Sequence, residues 1–224
     1  MDLLFKIFLI VHIAGGTLGL LAGTYVMIAK KGDQIHRRAG KLFALSMLGA
    51  GISSLILATL HHINFLFAVG IFTIHMTATA WRYLSLKNIA DGQQPKPIDW
   101  FLMGFMVVGS LWFIKMGVES FLVKEYFGVV ILIFAWRGLS FVYQDYRTFR
   151  GEIKSKNYWL LFHLQRMTGA YIASLTAFAV VNAPDRISFI PWLLPAVIFV
   201  PLIVKWTRKY RVRVVETQKT ALKG

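Results

Sequence analysis

The chain has 224 residues, of which 57% are hydrophobic, 15% aromatic and only 16% charged, and it contains no cysteine. A soluble globular domain averages about 45–50% apolar and about 25% charged residues, so that class is excluded, as is a disordered or collagen-like chain; without cysteine, disulfide frameworks, thiolate nucleophiles, iron–sulfur clusters and Cys-based zinc sites go as well. A membrane protein is left, and its 25 Lys and Arg against 10 Asp and Glu give a net charge of +15 that in a soluble chain would point to nucleic acid.

Apolar runs long enough to cross a bilayer, about 18–20 residues or more, occur at 3–29, 42–60, 64–84, 99–118, 126–143, 159–182 and 190–206. The first is too long for a cleavable signal peptide, lacks a basic region before it and runs into Lys30-Lys31 without a small-residue cleavage site. It carries Gly15, Gly19 and Gly23 at four-residue spacing, with Gly16 beside them and His12 on the same face. Such a stripe reads as close helix packing, or as room for a flat cofactor beside a ligating histidine. In the second run Ala50, Ser54 and His61 share a face, and His62 follows; in the third, His75 shares one with Ala78, Thr79 and Arg82. The fourth holds Met103, Met106 and Met116, and the fifth Arg137. In the sixth, His163 precedes Met167, Ala170, Ser174 and Ala177 at helical spacing, with Arg166 within the same run. The seventh has Pro191, Pro195 and Pro201 and no small-residue stripe, and reads as peripheral. The expected fold is all-α: a single seven-helix transmembrane domain over 1–207 and a basic cytoplasmic tail over 208–224.

The basic residues alternate in density along the connections. Lys30, Lys31, Arg37, Arg38 and Lys41 follow the first run, Arg82, Lys87 and Lys96 the third, and Arg147, Arg150, Lys154 and Lys156 the fifth. Lys205, Arg208, Lys209, Arg211, Arg213, Lys219 and Lys223 follow the core of the seventh, whereas the opposite side holds only Lys6, Lys115, Lys124 and Arg186. Basic loops stay in the cytoplasm, so the expected topology is N-terminus outside and C-terminus inside. The charge then speaks for anionic headgroups at the cytoplasmic face as partner, not nucleic acid. Arg82 and Lys115 are expected to snorkel to headgroups.

All ten acidic residues fall in connections, tails or the ends of runs. The expectation is a membrane interior without paired carboxylates for acid–base work or a carboxylate proton relay, and without an acidic partner for its histidines. Gly51-Ile52-Ser53-Ser54 is only a loose approach to a membrane serine-protease turn, and Lys205, at the end of its run, lacks the counter-ion of a retinal pigment. What the runs do contain is histidine and arginine, costly there and therefore functional by default. His12, His75 and His61 or His62 are the outer ligand candidates and His163 and His36 the inner ones, with Arg137 and Arg166 placed to pair anionic groups. Neutral imidazoles from different helices hold haem b in membrane cytochromes while basic groups pair its propionates; copper is the second metal, with Met76 and Met167 near His75 and His163. Two other readings stand beside haem or metal binding with an electron-transfer or cofactor-handling role. One is a non-enzymatic carrier or assembly protein that takes an anionic or lipidic ligand in a His/Arg-lined cleft; the other is that the histidines are satisfied packing residues.

Two stretches carry a resemblance: His12-Ile13-Ala14-Gly15-Gly16 through Gly23 with the later His36-Arg37-Arg38-Ala39-Gly40-Lys41, and His163-Leu164-Gln165-Arg166-Met167-Thr168-Gly169-Ala170-Tyr171. Together they resemble an uncharacterised family of predicted bacterial multi-pass membrane proteins, in which an intramembrane His with glycines precedes a cytoplasmic His-Arg-x-x-Gly. The resemblance implies a bacterial inner-membrane protein and singles out His12, His36, His163 and Arg166; it implies no activity.

Overall fold

A computed structural model describes residues 3–125, 127–153, 155–183 and 190–212. Lys154, Arg186 and the tail residues Arg213, Lys219 and Lys223 lie outside the described residues, so the expected tail is seen only as far as Val212. The described chain is all-α: α1 (Leu3–Ile28), α2 (Gln34–His61), α3 (Asn64–Tyr83), α4 (Pro97–Leu122), α5 (Phe127–Phe149), α6 (Tyr158–Asn182) and α7 (Ile190–Tyr210). Five of them, α1 to α4 and α7, are long and apolar enough to cross a membrane. α5 and α6 are as long but carry Arg137, Asp145 and Arg147 in one case and His163, Gln165 and Arg166 in the other.

The helices match the apolar runs but outreach four of them, α2, α4, α5 and α7. α2 begins at Gln34 because the Asp33 carboxylate accepts the backbone N–H of His36 at 2.7 Å, an N-cap that draws His36, Arg37, Arg38 and Lys41 out of the connection and onto the helix. α4 starts at Pro97, a residue suited to a first helical turn, and Asp99 accepts the N–H of Lys96 at 2.8 Å. α5 runs on past residue 143 to Phe149, which takes Asp145 into the helix.

α1 pairs along α2 and α4 along α5, while α3 is packed between α2, α4 and α6; α7 lies on α6. The glycine stripe of α1 is a packing device over most of its length. A Cβ on Gly15 would come within 3.0 Å of the Ser46 carbonyl, and one on Gly19 within 2.1 Å of the Met47 side chain. α4 and α5 use the same device, a Cβ on Gly128 falling 2.5 Å from the Gly117 carbonyl. The apolar core centres on α3, with Phe72 and Met76 buried among Met106, Phe113, Ile131 and Tyr171. α1 is the least enclosed of the five apolar helices, with only Gly19, Ala22 and Gly23 buried.

Candidate functional site

Two polar regions stand out, one closed and one open. The closed one surrounds Asp145, which is 1% exposed. Arg166, equally buried, donates to both of its carboxylate oxygens, at 2.6 and 3.0 Å, and Tyr83 donates its hydroxyl to the same group. The guanidinium is also sandwiched among rings, 5.1 Å from the centroids of Tyr83 and Phe141 and 5.8 Å from Phe162. His75, fully buried, completes the cluster: its Nδ1–H donates to the Leu102 carbonyl at 3.1 Å, and its Nε2 lies 3.9 Å from Asp145 without a hydrogen-bond partner. These contacts correct the expectation that the interior lacks a carboxylate. Burying Arg166 without a counter-ion would cost several kcal/mol, and Asp145, taken inward when α5 runs past its apolar stretch, supplies one. Arg82 forms a two-pronged pair with Asp99 at 2.7 and 2.8 Å that ties α3 to α4.

The open region is a cavity of about 550 Å³ walled by α1, α2, α3, α6 and α7 at their basic ends. Its inner surface is apolar, made by Gly23, Phe43, Ala44, Met167 and Tyr171, and its mouth carries Lys31, Arg37, Lys41 and Lys87. Trp81, Trp159 and Trp206 are also among the lining residues, and no carboxylate is. Lys31 donates to the carbonyls of Val26 and Met27 at 2.6 and 2.7 Å, closing the C-terminus of α1, and its Nζ lies 4.7 Å from the Trp206 ring centre. Burial lowers its ammonium pKa from the ordinary lysine value. Lys87 sits in the same way over Trp159, at 4.7 Å.

His36 and His163, the inner candidates, both line this cavity, from α2 and α6. His163 donates Nδ1–H to the Ala80 carbonyl at 3.0 Å; since a carbonyl only accepts, the tautomer is set and Nε2 keeps its lone pair. The Nδ1 of His36 is buried without a partner. The outer candidates do not converge. His12 donates Nδ1–H to Ala50 at 3.0 Å, His61 is exposed with its ring 4.4 Å from Phe5, and His62 is an exposed helix cap with φ of 53°. Among the described residues no three His, Asp or Glu groups stand close enough to hold a metal ion. Arg137 is exposed and lies over the Phe141 ring at 4.4 Å; it does not line the cavity that His36 and His163 share. α7, expected to be peripheral, lies at the edge of the bundle but gives the cavity Trp206 and Tyr210.

Sequence reasoning missed Asp145 and the tryptophans. A signal for the first was present: a buried arginine calls for a carboxylate, and Asp145 is the sole acidic residue between Glu125 and Glu152. The tryptophans come from three separate helices, and nothing local in the sequence links them. No family model, curated protein or solved structure matches this chain.

Proposed function

We propose that the chain is a seven-span protein of the bacterial inner membrane, N-terminus outside and C-terminus in the cytoplasm, that binds an anionic amphiphile in the basic cavity as a carrier or assembly protein. The observation that carries this reading is the division of the cavity itself, an apolar interior beneath a mouth of lysine and arginine without a lining carboxylate. Concave sites of about 300–1,000 Å³ with apolar walls and a few convergent polar groups are the usual form of a small-molecule site. Unpaired cations at the edge of such a cleft attract a phosphate or carboxylate head, and the apolar walls take its body. The topology rests on the distribution of basic residues, and the bacterial setting on the resemblance of the His12 and His163 stretches. Spans five and six fit the same scheme because Asp145 and Arg166 neutralise each other.

One observation favours a second reading in which the amphiphile is haem b. His36 and His163 face one cavity from different helices, and the second has its Nε2 free by tautomer, the arrangement in which a carbonyl orients a ligating imidazole. Arg37 and Lys41 would then pair the propionates. Copper has less support, since His75 and His163 are engaged in separate regions.

Both readings are tested on protein purified in mild detergent, by a reduced-minus-oxidised visible spectrum together with mass spectrometry of an organic extract. A stoichiometric anionic amphiphile supports the proposal, and a Soret band lost in His163→Leu identifies it as haem. An extract with nothing stoichiometric, from protein that also fails to take up added anionic amphiphile, contradicts both.

A further inference from the structure

The way into the cavity points to the class of ligand. α1 pairs with α2 and α7 with α6, and the two are not packed along each other. In the space between them the Lys31 ammonium, just past the end of α1, stands over the Trp206 ring of α7. Of the five apolar helices α1 has the smallest buried share, and Leu18, Leu21, Tyr25 and Ile28 are exposed on it, so the gap opens toward whatever surrounds the bundle. In the bilayer reading that surround is lipid.

From Gly23 at the inner wall to Ile28 at its end, α1 follows the cavity for five residue steps, about 7.5 Å of helix rise, and Lys31 lies three residues beyond that end. Half of a hydrocarbon core is about 15 Å, so the cavity accommodates a head group and the first part of an acyl chain, and the rest of the chain has to leave through a side opening. In the bilayer reading Trp206 and Trp159, each under a lysine of the mouth, would stand where aromatic residues meet the headgroup layer. Lys31, Arg37, Lys41 and Lys87 then lie at the height of lipid phosphates.

Resting on the reading of the cavity as an anionic-amphiphile site, we infer that its ligand is a phosphate-bearing diacyl lipid of the surrounding leaflet, which enters sideways between α1 and α7 past the Lys31–Trp206 contact. The head group is held by the cations of the mouth, the chains pass between the two helices, and Tyr171, tied to Thr24 by a 2.8 Å hydrogen bond, forms the end wall.

The test uses the unaltered chain in nanodiscs containing phosphatidylglycerol or phosphatidylcholine with a photoreactive group in the acyl chain. After illumination the labelled residues are mapped by mass spectrometry. The expected result is labelling of Met27, Met167 and Tyr171, which line the cavity, at least fivefold stronger with the anionic lipid and lost in Gly40→Trp, where the added ring enters the cavity from a position whose Cβ meets nothing within 4 Å. Labelling confined to the outward faces of the helices overturns the inference. A second arm titrates water-soluble dihexanoyl phosphatidic acid and reads tryptophan fluorescence. Saturable quenching without cavity labelling by bilayer lipid leaves the site standing and removes the lateral route; absence of both removes the site as well.

Discussion

Arg166 and Arg37 are both arginines on helices of the same bundle, and their surroundings are opposite. Arg166 is enclosed by a carboxylate and three aromatic rings, with Tyr83 on the same carboxylate, so that its charge is neutralised within the protein. Arg37 donates to the Gly32 carbonyl at 3.2 Å and, like Lys41 and Lys87, has no ion-pair partner among the described residues, although all three stand at one cavity. A cation already paired in the interior holds helices together; cations gathered without counter-ions around an apolar cleft are available to something else. The contrast assigns architecture to the first region and binding to the second, and it can be broken at several points.

The largest effect is expected where charges are paired. Arg166→Ala leaves Asp145 buried without its cationic partner and should cost about 3–5 kcal/mol, seen as a large fall in the detergent melting temperature. The double change Asp145→Leu with Arg166→Met, which removes both charges and keeps volume, should recover most of that loss. If Arg166→Ala melted normally and only lost ligand, the two regions would not differ in the way described.

Only part of this contrast is legible in the sequence. The seven helices follow from the apolar runs, and Arg166 stands out because an arginine in such a run is expensive. Asp145 does not stand out, since it lies just beyond an apolar stretch and is taken inward only because α5 continues to Phe149. Lys31, Arg37, Lys41 and Lys87 are visible as cytoplasmic charge, but their convergence on one cleft arises from the packing of α1, α2, α3 and α6, which a linear pattern does not encode. Spacing also brings His12 and Gly15 to one face without telling whether the imidazole serves a ligand or the Ala50 carbonyl.

The next effect in size is on binding. Arg37→Ala with Lys41→Ala should weaken uptake of an anionic amphiphile about tenfold, or about 1.4 kcal/mol, in a titration, while stability changes by no more than about 0.5 kcal/mol. A melting loss like that of Arg166→Ala would mean these cations are structural after all. His12→Leu removes one hydrogen bond between α1 and α2 and should cost about 0.5–1.5 kcal/mol in a melt without altering binding or any visible spectrum. Smallest of all is Arg137→Leu. With its side chain exposed over Phe141, it should leave binding unchanged and stability within about 0.5 kcal/mol, whereas lost binding would place it in the site.

The most direct measurement is native mass spectrometry of the purified chain beside Gly40→Trp. A tryptophan at position 40 fills the cavity where a new side chain meets no neighbour within 4 Å, so the helix itself is spared. The account predicts an anionic amphiphile bound one to one to the unaltered protein and absent from a variant that melts at the same temperature. Equal occupancy of both proteins would contradict it.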